Sequence, residues 1–164
     1  MNFELSDEQQ LLGDSLRKYL ANDYSFDARA KIVASPPGWS EKVWAGFAEM
    51  GLLGVPFPEE YGGFGGTAVD VMLVMEALGE SLVVEPYLAN VGIAGRLVHR
   101  AGSDAQRKAI LPALIQGQRR FALAHTEAAA RYELRHVGAR AKHAGDGWVL
   151  EGGKRAVVHG GAAG

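Results

Sequence analysis

Cysteine is absent from this 164-residue chain. That excludes a disulfide scaffold, a cysteine-based zinc site and a thiol nucleophile, and it accords with a reducing cytosol. An excess of one charge is also lacking: 17 Lys and Arg stand against 19 Asp and Glu, for a formal net charge of −2. Neither nucleic acid nor an anionic membrane is therefore an expected partner. No apolar run approaches the roughly 20 residues that cross a bilayer. The opening Met1-Asn-Phe-Glu-Leu-Ser-Asp-Glu-Gln-Gln10 is too acidic and polar for a secretory signal. The five histidines, His99, His125, His136, His143 and His159, form no HExxH or His-x-His pattern, so no metal site is expected. These absences together predict a soluble, cytoplasmic protein.

What is present suits a packed core: 48% of the residues are hydrophobic and 22% charged, an ordinary balance for a globular chain. Ser6 followed by Gln9 makes a capping box, and Leu12, Leu16, Tyr19 and Leu20 predict a helix to about Asn22. Pro36-Pro37-Gly38 is a break. Ser40 caps a second helix with Val43, Trp44, Phe47 and Ala48 on one face, ended by Gly51. The stretch from Gly51 to Gly66 has no helical period, and its six glycines imply tight turns. Thr67 can cap a third helix whose Val69, Val71, Met72, Val74, Met75 and Leu78 predict a central position in a bundle. Pro86 begins a fourth, with Leu88, Val91, Ile93, Leu97 and Val98 inward. Ser103 and Gln106 box a last helix that is disturbed at Pro112 and ends near Gly117.

Near Arg120 the pattern changes. Phe121-Ala-Leu-Ala-His-Thr-Glu127, Val137–His143, Trp148-Val-Leu150 and Arg155-Ala-Val-Val-His159 read as strands, with Ala144-Gly-Asp-Gly147 as the hairpin turn between the second and third, since Asp-Gly suits a positive φ. The fold class expected is α+β multidomain: an N-terminal all-α bundle over residues 1–120, then the incomplete beginning of an all-β barrel-like domain over 121–164. The run Gly62-Gly63-Phe64-Gly65-Gly66 lacks the Lys-Ser/Thr and the preceding strand of a phosphate loop. Glu59-Glu60 reads as a solvated pair, and no serine sits in a nucleophile elbow. Composition and spacing alone leave the function open.

Particular motifs go further. Phe3-Glu-Leu-Ser-Asp-Glu-Gln-Gln-Leu-Leu12, then Trp44-Ala-Gly-Phe-Ala-Glu-Met-Gly-Leu-Leu-Gly54 running on through Pro58-Glu-Glu-Tyr-Gly-Gly63, resemble the acyl-CoA dehydrogenases. Gly102-Ser-Asp-Ala-Gln106, Leu111-Pro112, Thr126-Glu127, Gly147-Trp-Val-Leu-Glu-Gly152 and Lys154 follow in the family's order. The resemblance implies an FAD-dependent oxidoreductase of fatty acid β-oxidation chemistry, which introduces a 2,3-double bond into an acyl-CoA thioester. It also implies an electron-transfer flavoprotein as electron acceptor and assembly as a homo- or hetero-oligomer. The family's carboxylate base and four-helix domain belong C-terminal to the stretch matched here. No catalytic residue is therefore assigned, and this piece alone is expected to be inactive.

By position, the resemblance implies cofactor contacts at Leu123, His125, Thr126, Ala156 and Val158, and a substrate contact at Tyr132. The segments 71–78 and 87–97 would line the acyl-tail cavity. Some positions depart from the family pattern. Tyr132 stands where a serine usually touches flavin and acyl-CoA, and Ala156-Val157-Val158 replaces Trp-Ile-Thr. The Ala130-Arg-Tyr-Glu133 variant looks like the small subunits of pimeloyl-CoA-type dehydrogenases, which pair with a different subunit; that gives the alternative of a non-catalytic partner subunit. Arg131 is expected to pair with Glu133 or Glu127.

Overall fold

The computed structural model describes residues 4–164, so Phe3 of the opening motif lies outside the described residues. Helix α1, Asp7–Asp23, begins at the expected capping box: Gln9 N–H donates to Ser6 Oγ at 3.2 Å, and Ser6 N–H to Gln9 Oε1 at 3.1 Å. Leu16 and Leu20 are buried. Tyr24, just beyond, accepts the Val84 N–H at 3.1 Å, and burial pushes its phenol up to about 12.

A helix the sequence reading did not contain follows. It is α2, Phe26–Ala34, capped by Ser25, whose Oγ accepts the Ala28 N–H at 3.2 Å. None of its residues is fully buried, so it carries no apolar stripe to announce it. Helix α3, Glu41–Glu49, is where Ser40 predicts it, with Val43, Trp44 and Phe47 inward and Gly51 left-handed at φ +74°. The glycine-rich stretch that follows belongs to the core. It folds into 3₁₀ turns at Leu52–Gly54 and Glu59–Tyr61, and it buries Leu52, Leu53, Val55 and Phe57. A Cβ on Gly63 would collide with the Phe57 carbonyl, so the close approach requires glycine.

Helix α4, Ala68–Glu80, has a capping box of its own, since Asp70 Oδ2 accepts the Thr67 N–H at 2.7 Å. It packs along α1 and buries Leu73, Val74, Ala77 and Leu78. Val69 and Met72 are exposed, so α4 is not the central helix its composition suggested. The next segment, Leu88–Gly95, is π-helical and runs into α5, Arg96–Ala101. Here Val91 is buried, but Leu88, Ile93 and Leu97 are exposed rather than inward. An i→i+5 bonded turn holds more residues than an α-helical one, so the 3.6 period assigns the wrong face. Helix α6, Asp104–Ile115, opens at the Ser103/Gln106 box, carries Pro112 inside it and buries Leu111, Leu114 and Ile115. Gly117 follows at φ +72°.

Beyond α6 the chain holds turns, one hairpin and a 3₁₀ turn at Gly160–Ala162. Strands β1, Arg140–Ala144, and β2, Gly147–Glu151, pair antiparallel from Arg140↔Glu151 to Ala144↔Gly147. The turn is the expected Ala144-Gly-Asp-Gly147, with Gly145 and Asp146 at its centre. Gly145 takes φ +59°, which places glycine first, as in a type II′ turn. The stretches 121–127 and 155–159, expected as strands, are not strands: Ala156 and His159 are left-handed at φ +49° and +53°, and residues 158–159 lie in a turn. A single backbone bond joins them, Arg155 N–H to Thr126 C=O at 2.8 Å, so no ladder forms. Their position is set elsewhere: Arg120 and Gly164 exchange both backbone bonds at 3.0 Å, and Phe121 N–H donates to Asn90 Oδ1 at 2.6 Å. No helix among the described residues is long and apolar enough to cross a membrane.

Candidate functional site

The stretches 121–127 and 155–159 and the π-helical segment enclose a groove of about 230 Å³. Ala89 and Ile93, one turn apart, form one wall. Leu123, His125 and Thr126 supply the second, and Ala156 and Val158 the third. All five residues assigned to cofactor contact from the sequence are therefore brought together. Tyr132, assigned to substrate, is elsewhere: its side chain is fully exposed (100%) in the turn after Ala130. Ala89 and Ile93 were missed as groove residues. The sequence reading gave their helix to the acyl tail, and the π register is not visible in an apolar run.

The groove's side chains are mostly apolar, so its polarity comes from Thr126, His125 and the main chain. The His125 carbonyl accepts from Lys154 Nζ at 3.1 Å, and the Thr126 carbonyl from Arg155 N–H at 2.8 Å. Among the described residues, the N–H groups of Leu123, His125 and Thr126 and the Leu123 carbonyl have no hydrogen-bond partner. Unpaired main-chain groups and the Thr126 hydroxyl beside apolar walls suit a flat heteroaromatic ring that carries polar atoms. Ala156 holds φ +49°, a left-handed conformation uncommon for a residue with a Cβ.

Behind the groove lies Glu127, 7% exposed. Its carboxylate accepts Lys154 Nζ at 2.7 Å, Ala139 N–H at 3.0 Å and Gly138 N–H at 2.7 Å. The Lys154 bond, then the two amides, draw its pKa down to about 2. A carboxylate so engaged stays ionised and is a poor proton acceptor at neutral pH. The sequence reading paired Arg131 with Glu133 or Glu127. Instead Glu127 is taken by Lys154, and Glu133 by Arg135 at 3.6 Å. Arg131 sits in the turn at φ +49° and forms no ion pair among the described residues.

A second cleft, of about 440 Å³, lies beside α4 and the start of the π-helical segment, with Met75, Leu78, Val83, Tyr87, Leu88 and His159 among its lining. It touches both segments that were expected to line an acyl cavity. Among the described residues, no group of three or more His, Cys, Asp or Glu is placed to hold a metal.

The helical part and the segment that follows it resemble known proteins. Residues 6–118 match the family described as acyl-CoA dehydrogenase, N-terminal domain. Acyl-CoA dehydrogenase FadE12 of Mycobacterium tuberculosis is 31% identical over 159 residues, covering 93% of this chain and 39% of that protein. A crystal structure of a probable acyl-CoA dehydrogenase from Mycobacterium abscessus superposes with a TM-score of 0.84 at 28% identity, over 96% of this chain and 42% of that one. A Bacillus anthracis acyl-CoA dehydrogenase complexed with FAD gives a TM-score of 0.84 at 25% identity, over 94% of this chain and 27% of that one. The chain belongs to the acyl-CoA dehydrogenase family. It spans less than half the length of these relatives.

Proposed function

We propose that this chain is the N-terminal part of a flavin-dependent acyl-CoA dehydrogenase, its helical domain ending near residue 120 and its β-domain starting at 121. The observation that carries this reading is the meeting of Leu123, His125, Thr126, Ala156 and Val158 around one groove with unpaired main-chain donors. Those groups fit the polar edge of an isoalloxazine ring. Main-chain groups of Leu123, His125 and Thr126, with the Thr126 hydroxyl, would hold the polar side of the ring. A groove of about 230 Å³ would take part of the ring and no more, so FAD would extend beyond these walls. When bound, the flavin accepts a hydride from the β-carbon of the acyl thioester.

This chain's own residues hold, orient and exclude water. Ala89, Ile93, Leu123 and Val158 give the ring apolar surroundings in which hydrogen bonds are stronger than in water. The base that removes the α-proton is not Glu127, which is committed to three donors, and no other carboxylate lines the groove. We assign it to a part of the full protein outside these residues. The cleft bounded by Met75, Leu78, Val83 and Leu88 is the proposed seat of the acyl tail. An electron-transfer flavoprotein is the proposed electron acceptor.

The second reading is a partner subunit of a heteromeric dehydrogenase that binds flavin poorly by itself. It is favoured by Tyr132, which stands clear of the groove, and by the small Ala156 at a wall where the family carries tryptophan. Purifying the full-length protein separates the two. Stoichiometric flavin that bleaches on adding an acyl-CoA supports the enzyme; colourless protein that gains flavin only with a second subunit supports the partner.

A further inference from the structure

Among the described residues segment 121–127 forms no ladder, and side chains anchor it at both ends. At its start the anchor is Asn90. At its end, the Glu127 carboxylate and the Lys154 ammonium tie together residues 125–127, 138–139 and 154. Glu127 accepts the amides of Gly138 and Ala139, and Lys154 Nζ bridges Glu127 Oε1 and the His125 carbonyl. The pair is shielded, with side chains 8% and 24% exposed. Lys142–Glu151 offers a contrast. It is as short, at 2.9 Å, but its side chains are 55–60% exposed and neither takes part in a second side-chain bond among the described residues.

A trans peptide fixes its C=O and the following N–H in opposite directions. Holding the His125 carbonyl toward Lys154 therefore turns the Thr126 N–H away from Lys154. The Thr126 carbonyl, held by Arg155 N–H one residue after Lys154, is fixed by the same local arrangement. We propose that Glu127 and Lys154 are a positioning pair, which sets the orientation of the Thr126 N–H at the groove by clamping the His125 carbonyl. The proposal rests on the flavin reading of that groove. Neither residue touches the cofactor in it; both act through the peptide between His125 and Thr126.

The test uses the full-length protein and four variants: Glu127→Gln, Lys154→Met, Lys154→Arg and, as a control, Lys142→Met. FAD affinity is measured by fluorescence titration of apoprotein, alongside the thermal midpoint of the helices and amide hydrogen exchange at residues 123–127 and 138–139. Glu127→Gln and Lys154→Met are expected to weaken FAD binding at least ~10-fold, with the helical midpoint unmoved. Lys154→Arg, which keeps donors for both oxygens, restores most of the affinity, and Lys142→Met changes nothing. FAD affinity unchanged in Glu127→Gln and Lys154→Met overturns the proposal. If wild-type protein itself fails to bind FAD, the flavin reading falls and exchange decides the clamp. Faster exchange at both stretches in the two variants then supports it, and unchanged exchange refutes it.

Discussion

Asn90 Oδ1 accepts the Phe121 N–H at 2.6 Å, joining the π-helical segment to the first residue of segment 121–127. Asn90 is fully buried, and among the described residues this is its side chain's one hydrogen bond, its Nδ2 having no partner there. Replacing it with leucine leaves the Phe121 amide unpaired. Asn90→Leu is expected to lower the unfolding free energy by ~1–3 kcal/mol, read from urea denaturation. An unshifted midpoint would show that the bond contributes nothing.

The pH dependence of the Glu127 clamp follows from its depressed pKa. The folded value of about 2 lies below the ordinary 4.5, so protonation favours the unfolded state. The clamp's contribution is complete above the ordinary value and is lost as pH falls through about 2. Amide protection at Gly138 and Ala139 should hold at pH 5 and fade below the ordinary carboxylate range. Protection that fades instead as pH rises would contradict the assignment.

Gly63 sits where a Cβ would strike the Phe57 carbonyl and lie 2.7 Å from the Gly54 carbonyl. Both obstacles are backbone and cannot swing aside. Gly63→Ala should therefore cost about 1–3 kcal/mol and lower the thermal midpoint by several degrees. Gly147→Ala meets nothing within 4 Å and has an ordinary φ, so it should stay near neutral. Equal midpoints for the two variants would refute the steric argument.

Two substitutions in the groove should move flavin affinity in opposite directions. Thr126→Val removes the one hydroxyl on the groove wall, and Val158→Thr adds one across from it at nearly constant volume. In full-length protein each hydrogen bond lost or gained should change the FAD dissociation constant by roughly 2- to 10-fold, the equivalent of ~0.5–1.5 kcal/mol. Matching shifts in the same direction would place the ring elsewhere.

Local chemistry made most of the helical part readable in advance. Ser6 with Gln9 and Ser103 with Gln106 announce their helices because a cap depends on four consecutive residues. Helix α2 stayed hidden because it buries nothing fully, and the inward face of Leu88–Gly95 was misassigned because its turns are wider than the assumed period. The strands expected at 121–127 and 155–159 required neighbours, and a neighbour is a tertiary fact. In the groove, the resemblance led to Leu123, His125, Thr126, Ala156 and Val158. Glu127 and Lys154, 27 residues apart, had no local signal linking them.

The hairpin of β1 and β2 is exposed along its whole length, and it carries Trp148 at 67% exposure; Trp39 and Trp44 lie in the helical core. The two parts of the molecule thus have separate built-in reporters. Far-ultraviolet dichroism, dominated by helices, would be nearly blind to fraying of a two-stranded ribbon with no buried face. Indole emission from a protein keeping only Trp148 would register that fraying at temperatures where the bundle is still intact.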